Sequence, residues 1–304
     1  MRLTIVCPSA YPALVPGKIE FAGGAEFQLI MLAEAMRSRG HEVSFVVGDY
    51  GQPPYDEAQG FAMYRSFQLF EGNRKLRFVP DMLKLRAALR ASRPDVVNQR
   101  STAFYTGQVC HFAHEVGAAF VFSLGIDYNC YPDLQGRASW PIPTFYRWGM
   151  RHAELILAQT LQQAELVERN FHRTDVQVLP NLLEIPDIRE AEEDRGYVLW
   201  VGSLARRKRP ELCLEVARLC PDTEFRVVGG AGEDPGYDLE MKERARDIPN
   251  IEWVGFVPPP EMDDHYRGAA VYLNTSELEG LPNAFLQSWA HGVPTVSAGS
   301  TPTG

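Results

Sequence analysis

The segment from Ser276 to Gln287 combines a carboxylate with a turn that is suited to binding phosphate. Pro282 stands where the first turn of a helix tolerates proline, which predicts that a helix begins there. The free backbone N–H groups and the positive end of such a helix attract anions, phosphate in particular. Glu279 precedes the turn and follows a predicted strand, where open α/β sheets bind ligands. The segment therefore predicts a site for a phosphorylated ligand beside a carboxylate.

Four consecutive cations, Arg206 to Arg209, follow another predicted strand, 198–201. Two or more of these side chains can neutralise a diphosphate, and Lys208 acts there as a point charge. A basic turn before a helix is the alternative interpretation, and the sequence alone leaves both open.

Two further groups of residues lie beside predicted strands in the first half of the chain. Gly23 and Gly24 open the first long helix, where glycines let the backbone approach a ligand closely. A simple tight turn explains them equally well. Asp127 follows the predicted strand 120–124, and an isolated loop aspartate is more often a turn residue than a catalyst.

Strands and helices must alternate to position these residues, and the hydrophobic pattern predicts that they do so twice. It indicates two doubly wound α/β domains, 1–185 and 186–304, with a polar, acidic linker at 180–196. In the first domain a basic helix is expected from Pro80 to Ser92. In the second, a short helix is expected over 241–246. The chain ends after a strand without a covering helix, so the second domain is expected to be incomplete.

Charge and composition narrow the classes of partner. The chain has a formal net charge of −9, which argues against nucleic acid. Residues 61–100 nevertheless hold nine basic and three acidic side chains, net +6. This stretch is interpreted either as a solvated helix face or as a contact with a membrane or an anionic acceptor. No apolar run approaches the ~20 residues that a membrane-spanning helix needs.

Cysteine and histidine spacing predict neither a metal site nor a cofactor. The five cysteines include no C-x-x-C pair and favour a reducing cytoplasm over a disulfide framework. The seven histidines show no ligand spacing. The run from Gly229 to Gly232 does not match the G-x-G-x-x-G fingerprint of dinucleotide-binding folds.

Taken in order, these segments resemble the family-4 retaining glycosyltransferases, which have the GT-B fold of two Rossmann-like domains. Gly23 to Glu26 and Arg39 to Val43 look like that family's N-terminal signature. Val201 to Lys208 looks like its donor-phosphate segment, and Glu279 to Gln287, running on to Pro294, like its E-x7-E segment. The resemblance covers nearly the whole chain.

The resemblance implies a role for each matched residue. Glu279 would contact the transferred sugar near the reacting carbon, Gln287 the nucleotide ribose, and Lys208 the phosphates. The loop around the sugar and the diphosphate would consist of Gly280, Leu281, Pro282 and Asn283. Gly23 and Gly24 would cap the cleft from the other domain.

Three positions depart from the family pattern. Ser203 stands where many members have arginine, so Arg206 or Arg207 is expected to compensate. Gln287 replaces a glutamate. Because a neutral amide can still bond two hydroxyls, we expect a changed affinity and not a loss of function. Asp127 lies near the place of a histidine found in many members, and it is the candidate for part of that role. The family also normally continues past the equivalent of Gly304.

The implied function is retaining transfer of a sugar from a UDP- or GDP-sugar donor, with no metal or other cofactor. The implied acceptor is a glycan or a lipid-linked glycan of cell-surface polysaccharide synthesis, used in the cytoplasm or at the inner face of the membrane. The alternatives are a non-catalytic nucleotide-sugar-binding fragment and an epimerase of the same fold. An NAD oxidoreductase is the weaker alternative, because the dinucleotide fingerprint is missing.

Overall fold

The computed structural model describes residues 1–15, 23–68, 74–101, 104–185, 195–230, 232, 234–258, 261–277 and 279–299, with the backbone alone at 74–76. The chain divides into two compact units, Met1–Leu182 and a second unit that begins at Leu183.

An eight-stranded sheet forms the centre of the first unit, in the order β3-β4-β2-β1-β5-β6-β7-β8. All neighbouring strands are parallel except the antiparallel pair β3 and β4. The strands are β1 Arg2–Val6, β2 Glu42–Val47, β3 Tyr55–Ala58, β4 Phe61–Arg65, β5 Val96–Arg100, β6 Ala119–Ser123, β7 Leu155–Ala158 and β8 Val176–Val178. The α-helices are α1 Tyr11–Leu14, α2 Gly24–Ser38, α3 Arg74–Ser92, α4 Thr106–Glu115, α5 Ile142–His152 and α6 Leu161–Phe171.

A five-stranded parallel sheet forms the centre of the second unit, in the order β11-β10-β9-β12-β13. The strands are β9 Tyr197–Val201, β10 Glu224–Val228, β11 Ile251–Gly255, β12 Ala269–Asn274 and β13 Thr295–Ser297. The α-helices are α7 Pro210–Leu219, α8 Pro235–Arg246, α9 Met262–Arg267 and α10 Asn283–Ala290.

Helices cover both faces of each sheet. Successive strand residues point to opposite sides, so each strand contributes side chains to both cores. In the second unit, Trp200 of β9 packs in one core with α7 and α8. The adjacent Leu199 packs in the other core with Tyr266 of α9 and Phe285 of α10. The first unit likewise has two separate cores. The expectation of two doubly wound α/β domains is therefore confirmed.

The predicted starts of two helices were wrong, and one hairpin was not predicted. Helix α3 begins at Arg74, so Pro80 lies inside it and not at its start. Helix α8 begins at Pro235, because the Asp234 carboxylate accepts hydrogen bonds from two N–H groups of the first turn, at 3.1 and 3.2 Å. The hairpin of β3 and β4 was not predicted at all. Its two turn residues, Gln59 and Gly60, have φ values of 53° and 77°, as tight hairpin turns require.

All five cysteines are free thiols, and only Cys220 is exposed. Burial raises the pKa of Cys7, Cys110, Cys130 and Cys213 to about 12. Since the thiolate is the reactive form, we expect iodoacetamide to label Cys220 alone in the native protein at neutral pH. Mass spectrometry should find one label before unfolding and five after it. Labelling of a second native cysteine at a comparable rate would contradict the burial of the other four thiols.

Candidate functional site

The candidate site lies at the point where the strand order of the second sheet reverses direction. From β9 the chain moves to β10 on one side and returns to β12 on the other, so β9 and β12 are adjacent. Ligands of open α/β sheets bind outside the carboxyl ends of the strands at such a switch point. The loop after β9 carries Arg207 and Lys208, and the loop after β12 carries Glu279. Sheet topology thus brings together two segments that lie about seventy residues apart.

An ion pair joins these two loops. Lys208 Nζ contacts Glu279 Oε1, and Arg207 Nη1 lies 4.0 Å from the same oxygen. The Lys208 and Glu279 side chains are 18% and 11% exposed, whereas Arg207 is 51% exposed. Two cations therefore face one largely buried carboxylate. The local charge of this group is positive before any ligand binds.

A chain of hydrogen bonds fixes the backbone beneath Lys208. The Trp200 indole N–H donates to Thr275 Oγ1 at 2.9 Å, and the Thr275 hydroxyl donates to the Lys208 carbonyl oxygen at 2.6 Å. Glu277 N–H donates to the Arg207 carbonyl oxygen at 2.9 Å. Thr275 and Trp200 are 1% and 2% exposed, so these bonds are shielded from water. They hold the loop after β9 against the loop after β12.

We expect Thr275→Val to lower the free energy of unfolding by about 2 kcal/mol. Valine keeps the volume of threonine but leaves the Trp200 indole N–H and the Lys208 carbonyl oxygen without their buried partner. Urea denaturation of this variant beside Thr223→Val, a change in the exposed turn before β10, provides the measurement. Equal stability of the Thr275 variant and the wild type would show that the network does not hold the loop.

Arg206, the first residue of the basic run, contacts other partners. Arg206 Nη2 lies 3.0 Å from Asp234 Oδ2, and its guanidinium lies over the Tyr237 ring, 4.4 Å from the centroid. The hydrogen bond from Arg206 holds the pKa of the Asp234 carboxyl below its usual value. Ser203 is half-buried in the loop just after β9. Of the two arginines expected to compensate for Ser203, it is Arg207 that lies beside Glu279.

The turn before α10 is formed as the sequence indicated, with one shift. Pro282 precedes the helix and does not occupy its first turn, and Asn283 is the first helical residue. Gly280 and Leu281, which lead into it, are half-buried. The Pro282 carbonyl oxygen accepts hydrogen bonds from Phe285 N and Leu286 N, which form the first turn of the helix.

Gln287 lies one turn into α10 and is held by a residue that sequence reasoning missed. The Tyr266 hydroxyl donates to Gln287 Oε1 at 3.0 Å, and Tyr266 itself is fully buried. His291 Nδ1 lies 2.7 Å from the Gln287 backbone carbonyl oxygen, and the His291 ring stacks on the Tyr266 ring. The amide oxygen of Gln287 is thus already engaged inside the domain. Among the described residues its amide nitrogen makes no hydrogen bond, so it can donate to a ligand.

The remaining candidates, Asp127, Gly23 and Gly24, lie in the first unit. Asp127 begins a short 3₁₀ turn after β6, and its Oδ1 accepts a hydrogen bond from Gln163 Nε2 at 3.0 Å. Gly23 immediately precedes α2, and both glycines are exposed. A Cβ on Gly23 would lie 2.6 Å from Glu26 Oε2. The backbone therefore passes close to that carboxylate.

Within the part of the chain that the structure describes, no three His, Cys, Asp or Glu side chains gather in a way that could hold a metal ion. In the same residues, no helix has the length and apolar character to cross a membrane.

Comparisons with known proteins identify the family of the chain. Residues 23–182 match the model of the glycosyl transferase 4-like domain, and residues 195–303 match that of glycosyl transferases group 1. An uncharacterized glycosyltransferase of Haemophilus influenzae is 28% identical over 47% of this chain and 42% of its own. One subunit of the phosphatidylinositol N-acetylglucosaminyltransferase of Arabidopsis thaliana is 24% identical over 90% of this chain. The chain spans only 64% of that relative's length.

Solved structures share the fold at low sequence identity. Sucrose-phosphate synthase from Thermosynechococcus elongatus superimposes with a TM-score of 0.75 and 16% identity, over 98% of this chain and 82% of that one. A mutant of S. aureus TarM in complex with fondaparinux, α-GlcNAc-glycerol and UDP gives a TM-score of 0.72 and 10% identity, over 97% of this chain and 85% of that one. The chain therefore belongs to the group 1 glycosyltransferases, and its two parallel α/β domains have the GT-B fold.

Proposed function

We propose that the chain transfers a sugar from a nucleoside-diphosphate sugar to an acceptor, with retention of anomeric configuration and without a metal ion. One observation carries the proposal: Lys208, Arg207 and Glu279 meet at the switch point of the second sheet. The amide-rich start of α10 follows Glu279 directly along the chain.

The chemistry requires this distribution of charge. Breaking the sugar–phosphate bond leaves negative charge on the departing nucleoside diphosphate and positive charge on the sugar ring. Lys208, Arg207 and the N–H groups at residues 280–283 meet the first charge. The Glu279 carboxylate faces the positive charge on the sugar ring. Because the cations already surround this carboxylate, no divalent ion is needed to neutralise the leaving group.

Gln287 and Ser203 complete the donor site in this proposal. The Gln287 amide nitrogen donates to a ribose hydroxyl, and Tyr266 holds the amide in place by its bond to Oε1. Ser203 faces the diphosphate from the end of β9, with Arg207 supplying the missing positive charge. Asp127, Gly23 and Gly24 of the first unit belong to the acceptor side.

The donor nucleotide is proposed to be UDP or GDP. The TarM structure contains UDP, and a trehalose-6-phosphate structure from E. coli contains UDP-2-fluoro glucose, with a TM-score of 0.62 and 12% identity. The acceptor is proposed to be a glycan or a lipid-linked glycan of cell-surface polysaccharide synthesis. An O-antigen chain mannosyltransferase B of Escherichia coli, 27% identical over 35% of this chain and 29% of its own, is among the relatives.

A donor screen tests the function. UDP- and GDP-sugars are incubated with and without acceptor glycans, and donor consumption, product formation and the anomeric configuration of the product are followed by NMR. Acceptor-dependent transfer with retention is expected. Conversion of the donor without an acceptor would favour the epimerase, and calorimetric binding of UDP or GDP without any turnover would favour the non-catalytic binder. An inverted product would contradict retention.

Contact with the inner face of the membrane, from the cytoplasm, is the second part of the proposal. Val79 and Leu83 on α3 are 65% and 56% exposed beside a groove of about 270 Å³. The same helix carries the exposed Lys84. Arg86 and Arg90 pair with Glu115, so part of the helix charge is neutralised within the unit. Apolar side chains beside a cation suit an anionic lipid surface.

We expect the protein to co-sediment with vesicles that contain phosphatidylglycerol more strongly than with pure phosphatidylcholine vesicles. The double change Val79→Ser and Leu83→Ser should reduce co-sedimentation severalfold, because each removes exposed apolar area from the contact. Leu219→Ser is the matched control, since Leu219 is 81% exposed in the other unit. Binding that ignores anionic lipid, or that the control reduces equally, would contradict membrane contact through α3.

A further inference from the structure

A second switch point lies in the first unit, between β1 and β5. From β1 the chain moves to β2 on one side and returns to β5 on the other. Arg100 is the last residue of β5 and lies at the carboxyl edge of the sheet. The rule that located the site in the second unit therefore marks this edge as a ligand position too.

Arg100 is poorly paired for an arginine in a largely enclosed position. Its Nη2 donates to Asn181 Oδ1 at 2.6 Å and, with the Gln159 amide turned to satisfy its own hydrogen bonds, to the Gln159 side-chain oxygen at 2.5 Å; both partners are neutral. Its Nε is buried and makes no hydrogen bond. Its Nη1 also makes no hydrogen bond to any residue that the structure describes. The N–H groups on two of the three guanidinium nitrogens, Nε and Nη1, thus lack a hydrogen-bond partner among the described residues.

No carboxylate among the described residues lies within ion-pair distance of Arg100. The acidic side chain that attracts it is Glu26, whose carboxylate accepts a hydrogen bond from the Ser9 hydroxyl. Arg2 of the same unit, by contrast, pairs with the Asp95 carboxylate at 2.7 Å. A charge held away from water without a paired counter-charge costs stability. Such a charge is expected where a ligand supplies the missing anion.

The guanidinium stays charged in this setting. Burial lowers the pKa of Arg100 to about 10, which still leaves the group protonated at neutral pH. A cavity of about 20 Å³ adjoins it, lined by polar Gln28, Ser123 and Gln159 and by leucines. That volume holds about one water molecule or one ligand oxygen. A ligand would place one oxygen there and keep the rest of its body outside.

We infer that Arg100 binds an oxyanion, a phosphate or carboxylate group, carried by the sugar acceptor. That the sugar acceptor carries this group rests on the proposed function. The oxyanion site itself is inferred from residues of the first unit alone. A phosphoester acceptor and an acidic sugar share this chemistry, and guanidinium binds both through charge-assisted N–H donors.

Calorimetry on the full chain tests the site with two probes, inorganic phosphate and glucuronate, in the presence of saturating UDP. UDP occupies Lys208 and Arg207, so that the probes report on Arg100. We expect Arg100→Gln to lower the affinity for the more tightly bound probe by about tenfold or more, since charge-assisted hydrogen bonds are lost. Arg147→Gln is the matched control, because Arg147 is an exposed arginine of the same unit. The preferred probe tells whether the acceptor group is a phosphate or a carboxylate.

Each outcome decides the matter. Equal affinity of wild type, Arg100→Gln and Arg147→Gln, or no binding of either probe to the wild type, overturns the inference. If Arg100→Gln does not fold, phosphate titrated into ¹⁵N-arginine-labelled wild-type protein should shift the Arg100 Nε–H signal, and a signal that stays fixed overturns it. If UDP fails to bind while a probe still binds at Arg100, the proposed donor function fails and the oxyanion site remains.

Discussion

Glu279→Gln is expected to reduce sugar transfer by about a hundredfold or more while UDP binds at least as tightly as it does to the wild type. Glutamine keeps the size of glutamate and one acceptor oxygen but removes the negative charge. The stabilising effect on the positive sugar ring is therefore lost at the transition state. Activity assays at saturating donor, with calorimetry of UDP on the same preparation, give both quantities.

The expected retention of nucleotide affinity follows from the ion pair. Lys208 Nζ is engaged by Glu279 Oε1. A bound diphosphate must share that cation with the carboxylate, and the two anions repel each other. Removing the carboxylate charge frees Lys208 for the diphosphate. The effect on binding and the effect on turnover therefore have opposite signs.

Glu277→Gln is the matched control, because Glu277 lies in the same loop with an exposed side chain. It should transfer sugar at the wild-type rate. Full activity of Glu279→Gln would remove Glu279 from the reaction. A loss of UDP binding in that variant would show that the carboxylate supports the nucleotide itself, contrary to the expected repulsion between the two anions.

Lys208→Ala is expected to lower turnover at saturating donor by about tenfold or more. Removing one well-aimed donor to a developing anion typically raises the barrier by ~3–4 kcal/mol, so tenfold is the lower bound of the expected loss. The variant also leaves the largely buried Glu279 without its nearest counter-charge. Steady-state kinetics at saturating donor separate this loss of turnover from a weaker affinity for the donor.

Two further variants define the contribution of Lys208. Lys242→Ala removes an exposed lysine of α8 in the same unit and should leave turnover unchanged. Arg207→Ala should cost less than Lys208→Ala, because Arg207 is 51% exposed and 4.0 Å from the carboxylate. Unchanged turnover of Lys208→Ala at saturating donor would contradict the assignment of the leaving-group cation.

Hydrophobic periodicity was sufficient to predict the architecture of both units. Short continuous apolar runs, such as Leu199 to Val201, are typical of parallel strands that helices cover on both faces. The hairpin of β3 and β4 was not predicted, because its strands are short and its Gln59–Gly60 turn lacks the usual asparagine or aspartate. The early start of α8 depends on the Asp234 cap, a local contact that a periodic pattern does not reveal.

The sequence located the loops of the candidate site but not their partners. Glu279 and Lys208 were singled out separately, and only the adjacency of β9 and β12 shows that they form an ion pair. Thr275 and Tyr266 were missed, since a buried threonine and a buried tyrosine carry no motif of their own. A polar residue immediately after a strand, as Thr275 is, was the one available signal. The roles assigned to these residues stay predictions.

A crystal structure of the chain with UDP tests the central claim most directly. We expect a β-phosphate oxygen within about 3 Å of Lys208 Nζ, with the diphosphate against the residue 280–283 turn and the Lys208–Glu279 contact loosened. A diphosphate bound elsewhere, with Lys208 still engaged by Glu279, would contradict the account.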